Sequence, residues 1–162
     1  MQDIEKIYEE YFKTVYKYLF CLTRNTDISE ELTQETFYKA VKSINSFKGD
    51  CKISVWLCQI AKNLWYNEYK KNKKIKNINQ NELEKIYSNE NIENDIILNE
   101  EKIILYKKMQ KLDEVTRNVI LLRLTGDLSF KEIGIILNKT ENWARVTFYR
   151  GKKKLKEVDK NE

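Results

Sequence analysis

One stretch constrains this chain more than any other: residues 129–155, SFKEIGIILNKTENWARVTFYRGKKKL. Ser129 and Glu132 stand at capping-box spacing, so the pattern predicts a helix starting at Phe130. Ile133 and Leu137 then share one face, and Gly134 is small where the next helix must cross closely. Asn138-Lys139-Thr140 reads as a short polar turn, with Thr140 placed to cap the second helix. In that helix Ala144, Phe148, Gly151 and Leu155 recur at spacings of four, three and four, which makes a buried stripe. Asn142, Arg145, Val146, Tyr149, Arg150 and Lys153 are left on the other side.

Two helices coupled by a tight turn, the second with a basic outer face, form the pattern of a helix-turn-helix that reads duplex DNA. The outward residues have the chemistry for it. Arginine binds guanine bidentately, asparagine binds adenine, and valine or tyrosine offers apolar contact to a thymine methyl. Lys152, Lys153, Lys154 and Lys156 suit phosphates, which fix register without carrying sequence information. From Arg145 to Lys156 there are six basic residues and no acidic one. The plainer alternative is a solvated lysine-rich end that favours the helix C-terminal dipole. The capped preceding helix and the buried stripe agree with each other and weigh against it. Trp143 reads as a packing or phosphate-flanking residue rather than a base reader.

Charge points the same way. Of the net +5, residues 100–162 carry 15 basic and 10 acidic groups, whereas residues 1–71 carry 11 and 10, and residues 72–99 carry 4 and 5. The C-terminal third therefore holds the excess, as a nucleic-acid surface would. There is no proline, and there are only four glycines, so the chain reads as all-α with few tight turns. No signal peptide and no membrane-spanning apolar run is present, which predicts a cytoplasmic protein without membrane insertion. Cys21, Cys51 and Cys58 form no CxxC pair and read as small apolar packing residues. Histidine is absent, which removes the commonest general base and metal ligand. With no phosphate-binding glycine loop or nucleophile motif either, an independent enzyme is not expected, nor is a metal or other cofactor.

Upstream, Ile4, Ile7, Tyr8, Tyr11, Val15, Tyr16 and Leu19 recur at three and four, predicting an amphipathic helix over 3–22. Residues 23–26 break it, and Asp27 with Glu30 reads as a cap for a second helix ending near Ile44. Residues 46–52 form a loop around Gly49-Asp50. A third helix from about Ser54 buries Ile53, Leu57, Ile60, Ala61 and Leu64, and runs into Lys70, Lys71, Lys73, Lys74 and Lys76. Residues 72–94, rich in Asn, Lys and Glu, read as a flexible linker with some helix at 82–87. A second domain begins near Ile96, with a helix to about Lys111 and another over 114–124 behind an Asp113 cap. The expected architecture is two small helical domains, 1–71 and 96–162, joined by residues 72–95, the second being the helix-turn-helix.

Two further faces carry chemistry. On the second helix Glu31, Gln34, Glu35, Tyr38 and Lys42 share a polar face opposite Phe37, Ala40, Val41 and Ile44. On the third, Lys62, Asn63, Tyr66, Asn67, Tyr69 and Lys70 lie away from the apolar stripe. Cations that track phosphate, mixed with aromatics that stack on bases, suit single-stranded nucleic acid. Solvated surface is the plainer account of both.

The blocks ELTQETF (31–37), FKGD (47–50) and WLCQIAKN (56–63) resemble, in order and spacing, consecutive blocks of a bacterial RNA polymerase sigma factor. The absence of a segment ahead of the first helix and the direct linker resemble the small extracytoplasmic-function (ECF) class. In the second domain Leu112-Asp113 stands where that family usually has Leu-Pro, Arg117 comes shortly after, and Glu132-Ile133-Gly134 replaces Glu-Ile-Ala. Other departures are Glu31 for the usual Asp, Asn67 (with Glu68 next to it) for a frequent Asp, and Asn142-Trp143-Ala144 for Gly-Thr-Val.

This resemblance implies that Glu31, Gln34, Glu35 and Tyr38 dock on core RNA polymerase, against the coiled coil of its clamp. The loop around residues 47–53, together with Lys62, Asn63, Tyr66, Asn67 and Lys70, would melt the −10 promoter element and hold a flipped base. Asn142, Arg145, Val146, Tyr149, Arg150 and Lys153 would read the −35 duplex. The linker would thread the polymerase toward its active centre, and the class makes an anti-sigma factor a further expected partner. The alternative is a stand-alone helix-turn-helix regulator whose N-terminal helices dimerise or bind an effector; it would have no need of the polar face on the second helix. A nucleic-acid enzyme would need a metal site or clustered carboxylates, and Glu30, Glu31 and Glu35, the nearest candidates, lack histidine or aspartate partners.

Overall fold

A computed structural model describes residues 3–69 and 100–160. Within them there are seven α-helices and no strand. The chain divides into two units, Met1–Leu83 and Glu84–Glu162. The lysine run from Lys70 onward, the helix expected at 82–87 and the expected domain start at Ile96 lie outside the described residues.

In the first unit α1 (Ile4–Thr23) starts at Asp3, whose carboxylate accepts from the Glu5 amide. Tyr8, Phe12, Tyr16 and Phe20 stand at four-residue steps as an aromatic ladder, with centroids 5.1–6.1 Å apart along the helix. Phe37 of α2 (Thr26–Ser43) packs against its start, 4.9 Å from Tyr8 and 6.4 Å from Phe12. The predicted apolar stripe is buried at Ile7, Val15, Tyr16 and Leu19, but burial does not follow it throughout. From Tyr18 to Thr23 every side chain is buried, while Tyr8 stays exposed and Ile4 and Tyr11 are half-buried. Both α2 and α3 pack on α1.

The break between α1 and α2 is tighter than the predicted one. Arg24 adopts the left-handed conformation (φ 55°), with its amide bonded to the Phe20 carbonyl. Asn25, rather than Asp27 with Glu30, caps α2, accepting from the Ile28 amide at 2.9 Å. The inner face of α2 is also different from the predicted one. Val41 is 44% exposed and Ile44 half-buried, while Ser29, Leu32, Thr33 and Thr36 are inside with Phe37 and Ala40. The buried hydroxyls bond locally: Thr33 to the Ser29 carbonyl, Thr36 to the Leu32 carbonyl, Ser29 to the Asn25 carbonyl. Small satisfied hydroxyls can face a close helix neighbour without a desolvation penalty, so a polar-looking sequence face becomes an interior one.

A single 3-10 turn, Ile44–Ser46, leads to the loop and then to α3 (Ile53–Leu64). Val55 and Cys58 take inner positions with Leu57, Ala61 and Leu64, whereas Ile53 and Ile60 are half-buried. α3 runs into a π turn, Trp65–Tyr69, and Trp65 is buried.

The second unit contains α4 (Glu100–Met109), α5 (Glu114–Gly126), α6 (Phe130–Leu137) and α7 (Glu141–Lys160). α5, α6 and α4 all pack on α7. Asp113 caps α5 as predicted, and the core is Met109, Leu112, Val119, Ile120, Leu121, Leu122, Leu128, Ile133, Ile136 and Ala144. Among the described residues no helix is long and apolar enough to cross a membrane.

Candidate functional site

The helix-turn-helix is built as its caps dictate. Ser129 accepts from the Glu132 amide, and Glu132 in turn accepts from the Ser129 amide, each at 3.1 Å. α6 ends at Asn138 in the left-handed conformation (φ 57°), which asparagine tolerates. Thr140 then accepts from the Trp143 amide at 3.0 Å and starts α7. Gly134 meets the turn backbone rather than a crossing helix: a Cβ there would lie 2.7 Å from the Lys139 carbonyl oxygen and 3.0 Å from that of Thr140. It is Gly151 that permits the close helix crossing. A Cβ on Gly151 would lie 2.5 Å from Thr116 Cγ2 and 2.7 Å from Ile120 Cδ1, both on α5.

Of the predicted inner stripe on α7, Ala144 and Gly151 are buried and Phe148 and Leu155 half-buried; on α6, Ile136 is buried and Leu137 half-buried. Asn142, Arg145, Val146, Tyr149, Arg150 and Lys153 are all exposed along one helix. Trp143 is half-buried, with the Lys139 ammonium 5.5 Å from its ring centroid. The face thus combines a cationic edge with an apolar middle, Val146 and Tyr149, the second 56% exposed.

The sequence reading missed how Arg145 is held. Its Nη2 donates to Glu141 Oε1 at 3.0 Å, and its guanidinium lies 5.6 Å from the Phe130 ring centroid. Arg123 lies 4.5 Å from the same centroid, and its Nη1 donates to the Leu128 carbonyl at 2.7 Å. Phe148 and Tyr149 complete the group, 5.5 Å and 6.1 Å from Phe130. The Glu141–Arg145 spacing of four was the available signal; the aromatic part joins three helices and has none.

In the first unit Glu31 and Gln34 are exposed on α2, and Glu35 is half-buried beside them. Tyr38 is 54% exposed, and the Lys42 ammonium sits 4.4 Å from its ring centroid. On α3 and the π turn, Asn63 and Asn67 are exposed, and Lys62 and Tyr66 are half-buried. The Lys62 ammonium is 5.8 Å from the Tyr66 centroid, and partial burial lowers its pKa. The π turn carries more residues per turn than an α-helix, so faces extrapolated at 3.6 residues drift beyond Trp65. Lys70 lies outside the described residues.

The loop after α2 places Phe47 against Trp56, centroids 4.8 Å apart, and turns at Gly49 with φ 75°, a conformation that favours glycine. Phe47, Lys48 and Gly49 line a cleft of about 920 Å³ whose other wall is Asp3, Ile4 and Glu5. Neither Asn63 nor Asn67 is among its lining residues. Cys21 and Cys58 are buried, in line with the packing role expected of them, while Cys51 is only half-buried. Burial pushes the Cys58 thiol up to about 12, which keeps it neutral and unreactive.

Comparison with known proteins accounts for both units. The family profile Sigma-70 region 2 matches residues 7–75, and Sigma-70, region 4 matches residues 102–155. The RNA polymerase sigma factor YlaC of Bacillus subtilis is 29% identical over 95% of this chain and 90% of its own length. The ECF RNA polymerase sigma factor SigM of the same organism is 29% identical over 94% and 93%. Among solved structures, the sigma factor RpoE, in complex with the anti-sigma factor NepR from Bartonella quintana, matches with a TM-score of 0.73 at 17% identity, covering 99% of this chain and 98% of that one. CnrH in complex with the cytosolic domain of CnrY matches with a TM-score of 0.71 at 16% identity, covering 98% and 88%. At these identities the structural likenesses speak for the fold. The chain belongs to the sigma-70 family of RNA polymerase sigma factors, in its extracytoplasmic-function class.

Proposed function

We propose that this protein binds core RNA polymerase and directs it to promoters, as a dissociable cytoplasmic initiation factor with no catalysis of its own. The observation that carries the reading is the outward face of α2. Glu31, Gln34 and Tyr38 are exposed beside the half-buried Glu35, although the helix is fixed by its other side. A self-contained DNA-binding regulator has no need of such a face, whereas a factor that docks on a large enzyme does.

In this reading residues 1–71 form the polymerase-docking and −10-melting domain, residues 72–95 the linker, and residues 96–162 the −35-reading domain. Glu31, Gln34, Glu35 and Tyr38 contact the polymerase. Asn63 and Asn67, with Lys62, Tyr66 and Lys70, engage the melted −10 strand: amides reach base edges, the ring stacks, and the ammonium groups track phosphate. Asn142, Arg145, Val146, Tyr149, Arg150 and Lys153 meet the −35 duplex in the major groove. An anti-sigma factor is a further expected partner.

Run-off transcription from a promoter library with purified core polymerase tests the proposal. Transcripts that require both core and this protein are the expected result. Sequence-specific retardation of duplex DNA by the protein alone, with no effect on core transcription, would favour the stand-alone regulator instead.

A further inference from the structure

The contacts around Arg145 point beyond the six outward residues. A lone arginine on a helix surface samples many rotamers, and ordering one against a base costs entropy at the moment of binding. Here that freedom is already restricted from two directions. Glu141, one turn earlier, takes the Nη2 group at 3.0 Å. Phe130, the first residue of α6, puts its ring 5.6 Å from the guanidinium. Phe130 is itself set by Phe148 on α7 and by Arg123 on α5, and Arg123 is tied to the Leu128 carbonyl. The ion pair is exposed on both sides, 47% for Arg145 and 51% for Glu141, so it does little for stability. A carboxylate on this face also repels phosphate. A single bond to Nη2 occupies one of the five N–H donors of arginine and leaves enough for a two-point contact.

We propose that Glu141 and Phe130 are positioning residues for Arg145, holding its guanidinium so that it selects guanine in the upstream promoter duplex. The inference rests on the reading that α7 enters that duplex. Glu141 thus trades overall affinity for selectivity: its charge weakens attraction to DNA in general, and its hydrogen bond sharpens discrimination at one base pair.

The test uses the full chain bound to core polymerase and a promoter library randomised over the upstream element, with enrichment read at two salt concentrations. Arg145→Ala should abolish a guanine preference at one position. Glu141→Ala should reduce that preference roughly two- to fivefold, the range an exposed ion pair supplies, while raising affinity for all sequences. Glu141→Gln removes the charge but keeps an acceptor, so it should raise affinity as much and retain more of the preference. Phe130→Leu should resemble Glu141→Ala in preference without the general gain in affinity, and a thermal melt of each variant separates this from loss of folding. If Arg145→Ala erases the preference but Glu141→Ala and Phe130→Leu leave it at the wild-type level, the positioning role is overturned and the duplex reading of α7 stands. If Arg145→Ala, Arg150→Ala and Lys153→Ala all leave enrichment and salt dependence unchanged, α7 is not in the duplex and both fail.

Discussion

Asp113 shows how much one side chain settles in the second unit. Its Oδ2 accepts from the Thr116 amide at 3.0 Å and its Oδ1 from the Thr116 hydroxyl at 2.6 Å, and the Lys154 ammonium stands 4.0 Å away. The Thr116 hydroxyl, above all, holds the Asp113 carboxyl below its ordinary value, with a smaller contribution from Lys154. A carboxylate whose pKa is depressed on folding contributes stability that is fully present above the unfolded value, about 3.9, and is lost as pH falls through the folded value. Asp113→Ala should therefore destabilise the unit by about 1 kcal/mol at neutral pH, the usual worth of an N-cap. Asp113→Asn keeps an acceptor and should cost less. As the pH is lowered through the folded value of Asp113, the gap between wild type and Asp113→Asn should close and that to Asp113→Ala should narrow, since a protonated carboxyl still accepts. Urea unfolding monitored by circular dichroism at neutral and acid pH measures this. A gap independent of pH would show that the charge adds nothing to the cap.

Elements were legible where caps and periodicity agreed, and misread where the chain used a device with no local signature. The helix-turn-helix was readable from Ser129, Glu132 and Thr140 because each of those side chains bonds within three residues of itself. Asn25 was overlooked as a cap because Asp27 and Glu30 carry the stronger acidic pattern. The buried Ser29, Thr33 and Thr36 could not be told from a solvated face, since hydroxyls that bond back along the helix look polar only in the sequence. Gly151 passed as one member of a stripe, and its reason lies on α5. Thr116 cannot simply turn its methyl away from a new Cβ, because its hydroxyl is held by Asp113. Gly151→Ala should accordingly destabilise the unit by about 1–2 kcal/mol net, an overpacking penalty of roughly 2–3 kcal/mol less the ~1 kcal/mol gain in helix propensity. Adding Thr116→Ser, which deletes the clashing methyl and keeps the hydroxyl, should recover most of the loss. Thermal melts of the two singles and the double variant decide it, and strict additivity would mean that the two residues do not press on each other. On α2 the expectation is the reverse. Glu35→Lys, or Gln34→Ala with Glu31→Lys, should weaken capture of core polymerase while leaving the helical signal intact, and unchanged capture would remove the docking role from this face.

For the whole molecule, the two proposed DNA surfaces differ in chemistry as the two states of a promoter differ. α7 presents arginines, an asparagine and lysines with a long, regular exposure, suited to a duplex whose phosphates repeat and whose major groove offers paired donors and acceptors. The end of α3 and the π turn present Asn63, Asn67, Tyr66 and a half-buried Lys62, a set of amides and a ring with few cations, which suits bases taken out of the stack rather than a dense phosphate track. The two surfaces should therefore separate in experiment. Asn63→Ala with Asn67→Ala should leave −35 duplex binding by the polymerase complex, and its salt dependence, near wild type, while permanganate reactivity of thymines in the −10 region falls. Lys153→Ala should weaken binding to all sequences alike and lower the salt slope by about one unit, and strand opening should recover when protein concentration restores occupancy. Extruding a base costs a few kcal/mol, so losing amides that offset part of that cost should lower the extent of opening even at saturating protein. If the asparagine variants lose duplex binding and opening together, that surface supports the fold instead of holding a base, and the cleft beside Phe47 and Gly49 becomes the better place to look for one.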